Sequence, residues 1–324
     1  MIGITDIEAA AERLVGVAVR TPLLQNTELD RIAGGKVLIK PECFQSIGSF
    51  KIRGAYNLLS QLSPEQAERG VVAWSSGNHA QGVALAGKLL RIHTVIVMPE
   101  DAPSAKLENT RRLGGEVITY DRYSGDREVI AHGVAAERGA EIVPSYEDLR
   151  IIAGQGTVGL EIAEQSTSLG LPVDQVIVNC GGGGLTSGSA IALKSRLPDT
   201  EIYTVEPEEF DDTARSLASG ERKSIKENAH SICDALLTDM PGKLTFDIMR
   251  ELVKSGLVVS DAEVREAMRF AFRNLKIVVE PGGAAALAAI LAGKVNTSGK
   301  TTAIIFSGGN VDFEQFAAIQ TERT

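Results

Sequence analysis

Short apolar runs along the chain alternate with longer segments in which apolar residues recur every three or four positions. The short runs predict strands at 37–40, 71–73, 94–98, 116–120, 141–143, 175–179, 201–206 and 301–307. The longer segments predict helices at 52–62, 80–90, 104–113, 124–138, 152–166, 185–196, 261–275 and 283–291. Such alternation is the signature of βαβ units, so the expected fold is α/β, with mainly parallel open sheets covered by helices on both faces. At the start, MIGITDIEAAAERLVGV carries acids where a signal peptide needs a basic region, and Thr5 with Glu8 has capping-box spacing. A retained helix is predicted there. The polar stretch 217–243, containing SGERKSIKEN, breaks the rhythm and reads as a surface excursion, with a lid as the alternative. The charge runs Arg111–Arg112 and Glu221–Lys226 read as solvated faces.

The 324 residues favour two domains at roughly 150 residues each. With 44% hydrophobic and 23% charged residues, the chain is neither disordered nor fibrous. Thirty-three Lys and Arg against 42 Asp and Glu give a net charge of −9, which opposes nonspecific binding to nucleic acid or an anionic membrane. Cys43, Cys180 and Cys233 are scattered and odd in number, so neither a disulfide framework nor a zinc site is indicated, and a reducing cytoplasm is expected. No apolar run reaches the roughly 18 residues that a membrane span needs. The 33 glycines exceed what ordinary turns explain, and three of their settings carry candidate chemistry.

The strongest is Asn179–Cys180–Gly181–Gly182–Gly183–Gly184–Leu185, after an apolar strand and opening a helix. Backbone N–H groups at a helix start suit a phosphate or carboxylate. The spacing matches neither a dinucleotide fingerprint nor a nucleotide P-loop, and a tight turn holding nothing is the alternative. Ser75–Ser76–Gly77–Asn78–His79 occupies a similar strand-to-helix junction and suits a carboxylate, although Ser and Asn are equally helix caps. In Gly48–Ser49–Phe50–Lys51–Ile52–Arg53, apolar neighbours and a nearby helix N-terminus both disfavour a charged ammonium on Lys51. A neutral amine is what Schiff-base chemistry requires; a surface lysine is the plainer alternative.

Together, Ser-Phe-Lys-Ile-Arg-Gly-Ala at 49–55, Ser-Ser-Gly-Asn-His at 75–79, the glycines at 181–184 and Ser-Gly-Gly-Asn at 307–310 resemble the fold type II pyridoxal-phosphate enzymes, those of the tryptophan-synthase β fold. More narrowly, the chain is similar to the threonine/serine dehydratase and serine racemase group, from about residue 5 to about residue 315, with the motifs in family order. The resemblance implies that Lys51 holds pyridoxal 5′-phosphate as a Schiff base and later acts as base at the substrate Cα. Phe50 would pack against the pyridine ring, Asn78 would bond its 3′-oxygen, Gly181, Gly182, Gly183, Gly184 and Leu185 would bind the phosphate, and Ser307 would face the pyridine nitrogen. The substrate carboxylate would dock on Ser75, Ser76, Asn78 and His79, and Ser76 occupies the position that reprotonates Cα in racemising members. A small β-hydroxy amino acid, L-threonine or L-serine, would yield a 2-keto acid and ammonia; serine racemisation and 3-hydroxyaspartate dehydration are alternatives. A noncatalytic cofactor- or amino-acid-binding module is the alternative of another class.

The resemblance extends to Glu206–Pro207–Glu208–Glu209–Phe210–Asp211–Asp212, where Glu206 and Asp212 carboxylates and the Phe210 carbonyl would bind Mg²⁺ or Ca²⁺. Pattern alone reads this as an acidic helix start. Two departures stand out: Asp234–Ala235 where relatives commonly have Asp-Gly, and Arg127, which resembles serine racemases and 3-hydroxyaspartate dehydratases and could grip a second carboxylate. An exposed arginine paired with Glu128 is the plainer reading. Cysteine-synthase-type replacement fits less well, because Ile-Arg-Gly follows the lysine. The family implies a homodimer of two-lobed chains, with residues 1–70 and 146–324 forming the larger lobe and 71–145 a smaller mobile one. Because the chain ends soon after Ser307, no isoleucine inhibition through a C-terminal regulatory domain is expected.

Overall fold

The structure, a computed structural model, describes residues 2–102, 104–121 and 124–322. Its strands are β1 (Lys36–Lys40), β2 (Val71–Trp74), β3 (Thr94–Pro99), β4 (Glu116–Tyr120), β5 (Glu141–Ile142), β6 (Gln175–Asn179), β7 (Glu201–Pro207), β8 (Ser255–Val259) and β9 (Thr301–Ile305). They form two sheets, ordered β1-β9-β6-β7-β8 and β4-β3-β2-β5, in which every strand pair is parallel. The strands of the four-stranded sheet all fall between residues 71 and 142.

Both faces of the five-stranded sheet are buried, which explains why its strands read as unbroken apolar runs. Alternate residues serve opposite faces. Ile39, Ile177, Val205 and Ile304 pack with the buried helix Pro281–Leu291, whereas Leu38, Val176, Val178 and Ile305 pack towards the helices Leu149–Ser168 and Gly184–Arg196. In each sheet the strand order reverses once, between β6 and β9 and between β2 and β5. Open parallel sheets bind ligands beyond the carboxyl ends of strands at such reversals. The loops that follow β2, β5, β6 and β9 therefore hold Ser75–His79, Ser145–Tyr146, the glycine run and Ser307.

Several elements differ from expectation. The edge strand β8 and the helices Thr27–Ala33, Pro64–Arg69, Asp212–Ser219, Lys243–Leu252 and Phe313–Thr321 are additional. The first helix, Ile4–Arg13, is capped by Gly3 and Asp6, with Asp6 Oδ2 accepting from Gly3 N at 2.8 Å, rather than by Thr5 and Glu8. β9 stops at Ile305, which frees Ser307 from the ladder. The helix predicted from 124 starts at Arg127, because Asp126 Oδ1 accepts from the N–H groups of Glu128 and Val129. The 261–275 segment is α-helical to Phe270 and then makes a π turn over Ala271–Leu275. The 217–243 excursion begins as the end of the Asp212–Ser219 helix and then returns to line the central cleft. Within it Arg222 and Lys226 are exposed, as expected of a solvated run, yet both line that cleft. Among the described residues no helix is long and apolar enough to cross a membrane.

Candidate active site

A cleft of about 1350 Å³ opens where the two sheets' strand ends meet. Phe50, Lys51, Ser75, Ser76, Asn78, His79, Arg127, Gly181, Gly183, Gly184, Leu185 and Ser307 all line it. Residues spread over more than 250 positions thus face one cavity.

Lys51 is the first residue of the helix Lys51–Leu59. Its Nζ donates to the Ser145 carbonyl at 3.1 Å and lies 5.3 Å from the centre of the Phe50 ring. Burial without a carboxylate partner pulls the amine down to about 8, so a substantial neutral fraction is present near neutrality. His79 donates from Nε2 to the Val143 carbonyl at 2.9 Å. Burial, reinforced by the Lys51 charge, lowers the imidazole to about 3, so it offers no positive charge to a carboxylate. The Nδ1 atom is buried without a partner. At Gly77 an added Cβ would meet nothing within 4 Å, so the backbone there borders open cleft. Ser75 Oγ accepts from Gly77 N at 3.2 Å.

In the glycine loop, Gly183 has φ +91°, a conformation that a side chain would strain, and an added Cβ would lie 2.6 Å from Met249 Cε. Gly182 does not line the cleft, because the Tyr146 ring covers it: an added Cβ would be 2.2 Å from Tyr146 Cδ1. Thr186, in the first turn of the helix Gly184–Arg196, lines the cleft with its Oγ1 buried and unpartnered. This hydroxyl was missed in the sequence, although its place two residues after the glycine run was the signal. An unpaired buried donor at a helix start, beside open backbone, fits an anionic group such as a phosphate. Ser307 is 4% exposed, and its Oγ accepts from Asn179 Nδ2 at 3.1 Å. A phosphorylated ring aldehyde therefore has matching groups: an amine, a ring-sized space beside Phe50, an anion cradle and a neutral hydroxyl.

Arg127 is exposed at the cleft edge and begins the helix Arg127–Arg138. Ala235 also lines the cleft, and its methyl is accommodated because residue 282 is glycine, where an added Cβ would sit 3.2 Å from Ala235 Cβ. Glu206 and Asp212 do not line the cleft; they lie at the end of β7, beside the strand that runs into the glycine loop. Both are 1% exposed. Glu206 accepts from the N–H groups of Thr213 (3.0 Å) and Ala214 (2.7 Å), while Asp212 Oδ2 is buried without a partner. Burial, and for Glu206 also the neighbouring Asp212, holds both carboxyls well above their usual range. Among the described residues no group of three or more His, Cys, Asp or Glu gathers as a metal cluster. Two neighbouring buried acids, one with a carboxylate oxygen that no donor meets, nevertheless fit a hard cation completed by carbonyl or water oxygens.

This cleft is that of a cofactor-dependent enzyme of the α/β class. The chain belongs to the pyridoxal-phosphate dependent enzyme family, whose profile matches residues 16–308. Within the family its relatives include ammonia-lyases and racemases. It is 46% identical to an L-threo-3-hydroxyaspartate ammonia-lyase of a Pseudomonas species over 97% of both chains, and 43% identical to serine racemase of Schizosaccharomyces pombe over 96% of this chain and 95% of the other. Among solved structures, maize serine racemase superposes with a TM-score of 0.92 at 40% identity, covering 97% of this chain and 95% of that one. The chain is thus a fold type II pyridoxal-phosphate-dependent enzyme of the ammonia-lyase and racemase group.

Proposed function

We propose that the enzyme is an ammonia-lyase that converts a small β-hydroxy amino acid, L-threonine or L-serine, into a 2-keto acid and ammonia. The observation that carries this reading is the convergence of Lys51, lowered to about 8, with the glycine loop and the Ser75–His79 loop on one cleft. Pyridoxal phosphate, when bound, supplies the electron sink that makes the Cα proton removable. In this assignment Gly181, Gly183, Gly184, Leu185 and Thr186 would hold its phosphate through N–H and hydroxyl donors, with Gly182 set back under Tyr146, while Phe50 would pack on the ring, Asn78 would bond its 3′-oxygen and Ser307 would face its nitrogen. A neutral serine hydroxyl, unlike a carboxylate, does not stabilise a charged ring nitrogen, which suits loss of a β leaving group. Lys51 Nζ takes the Cα proton. The hydroxyls of Ser75 and Ser76 and the first backbone N–H groups of the helix Asn78–Leu90, which no side chain caps, receive the substrate carboxylate; His79 contributes its backbone N–H, because its one ring N–H is given to the Val143 carbonyl. Ser76 is the second proton-handling group, which leaves serine racemisation open to the same site. Glu206, Asp212 and the Phe210 carbonyl hold Mg²⁺ or Ca²⁺ in a structural role beside the glycine loop.

A second substrate reading, 3-hydroxyaspartate, is favoured by Arg127 lining the cleft and by the name of the Pseudomonas relative. A bidentate guanidinium–carboxylate contact there is worth about 1.5–3 kcal/mol, so Arg127→Ala would cost that substrate about 10–100-fold in kcat/KM and spare threonine. The deciding experiment incubates the purified holoenzyme with L-threonine, L-serine, D-serine and both 3-hydroxyaspartate diastereomers, measuring keto acid and enantiomer together. Keto acid from threonine or serine supports the lyase; no product from any substrate rejects it.

A further inference from the structure

Glu280 immediately precedes the helix Pro281–Leu291, where an acidic side chain ordinarily turns onto its own helix's first N–H groups. It makes no such bond. Only 3% exposed, its carboxylate points into the cleft and accepts from Asn78 Nδ2 at 2.6 Å. On the other side, Asn310 donates from Nδ2 to the Ile47 carbonyl and to Asn78 Oδ1, each at 2.7 Å. A carboxamide gives from nitrogen and takes at oxygen. Asn310, tied to a backbone carbonyl, fixes the oxygen side of Asn78, and Glu280 fixes the nitrogen side. A flipped Asn78 would set oxygen against carboxylate and nitrogen against nitrogen. One Nδ2 proton of Asn78 remains for a ligand.

Gly308 supplies an independent observation. Its φ is not in the left-handed region, so its turn does not demand glycine; a Cβ there would lie 2.1 Å from Glu280 Oε1 and 2.9 Å from Asn78 Nδ2. The first glycine of Ser307–Gly308–Gly309–Asn310 thus admits the carboxylate.

We propose that Glu280 is a positioning residue for the reaction, acting through Asn78, whose carboxamide it holds with the free N–H turned towards the cofactor. This rests on the assignment of Asn78 to the cofactor's 3′-oxygen. Burial, with repulsion from Asp234, pushes the Glu280 carboxyl up to about 7, against the opposing pull of Asn78, Lys106 and the Asn310 backbone N–H. Lys106 is itself paired with Asp234 at 2.7 Å, and the nearby thiols of Cys43 and Cys233 are pushed up to about 12 and stay neutral. Below neutrality Glu280 gains a proton and no longer acts purely as an acceptor; above it, the ionised group holds Asn78 fixed.

The test compares wild type, Glu280→Gln and Glu280→Ala. Two readouts are the visible absorbance of the resting holoenzyme and the Asn78 carboxamide resonance of the cofactor-free protein, each titrated with pH; kcat and KM are measured alongside. Wild type is expected to titrate in both signals with a midpoint near 7, and Glu280→Gln, which still accepts from Asn78, to lose that midpoint while turning over faster than Glu280→Ala. Glu280→Ala is expected to lose about 10–100-fold in kcat, the scale of a misplaced catalytic contact, with a smaller change in KM. A wild-type titration persisting in Glu280→Gln overturns the inference, whether or not Glu280→Ala folds; so does an unchanged kcat and spectrum in Glu280→Ala. If no amino acid is turned over while the resonance titrates in wild type and not in Glu280→Gln, the reaction assignment fails and the hold of Glu280 on Asn78 stands.

Discussion

Arg53→Met is the perturbation whose cost the structure specifies most fully. Arg53 lies two residues past Lys51 on the same helix and is 1% exposed. Its guanidinium donates to both oxygens of Glu42 (2.8 and 2.9 Å), both of Glu161 (2.7 and 3.1 Å), Thr157 Oγ1 (3.0 Å) and the Val19 carbonyl (3.2 Å). Lys40, also buried, completes a set of two cations and two carboxylates through Glu161 at 2.6 Å. Breaking such a set by removing one cation leaves buried charge uncompensated, and the expected loss is about 3–5 kcal/mol. Urea unfolding followed by circular dichroism measures it. The pH dependence has a definite sign. Burial alone would raise the Glu42 carboxyl, but Arg53 and Lys40 outweigh it and hold the group below its usual range. Its contribution is therefore present above the ordinary carboxylate range and is lost as pH falls through the depressed folded value. In the variant the same buried carboxyl rises instead. The gap between the proteins should be widest near neutrality and close in acid, and adding Glu42→Gln should recover a large share of the loss. A loss below about 1 kcal/mol at neutral pH, or a gap independent of pH, would refute the reasoning.

Three further outcomes are expected. Capture of added pyridoxal phosphate by cofactor-free protein should accelerate as pH rises through about 8, where Lys51 is half deprotonated, and level off above it, and Lys51→Ala should abolish both the visible absorbance and turnover; a mutant that keeps full activity rejects the mechanism. Chelation should lower thermal stability or activity, with restoration by Mg²⁺ or Ca²⁺ in wild type but not in Asp212→Asn; stability and activity untouched by chelator would count against the cation. Gly183→Ala, which combines positive φ with contacts to Met249 and Thr245, should cost about 1–3 kcal/mol of stability and weaken cofactor retention, read by unfolding and by equilibrium dialysis.

The parts of the site that were legible in the sequence are those in which a strand, a loop and a helix follow one another directly. Apolar runs ending in Ser-Ser-Gly-Asn or in four glycines mark their own junctions, and parallel topology then brings the junctions together. What was not legible depends on distant partners. Asn78 meets Glu280 across 202 residues and Asn310 across 232, so neither partner alters the local pattern around Ser75–His79. Two of the five unpredicted helices share this cause; the other three, Thr27–Ala33, Pro64–Arg69 and Phe313–Thr321, carry local caps in Asn26, Ser63 and Asp312. Lys243–Leu252 has Gly242 at its start and no local cap; Glu147, 97 residues earlier, accepts from Leu244 N at 2.6 Å. Asp212–Ser219 likewise takes its cap from Glu206 at the end of β7, not from Asp211. A helix capped from elsewhere carries no start signal in its own sequence. The same borrowed caps place Glu147 beside the glycine loop, where Gly242 leaves room for its carboxylate, and Glu206 beside the candidate cation site. Acids therefore surround an anion cradle in a chain of net charge −9, and the cradle remains workable because its donors are backbone N–H groups and hydroxyls, which carry no charge for those acids to neutralise.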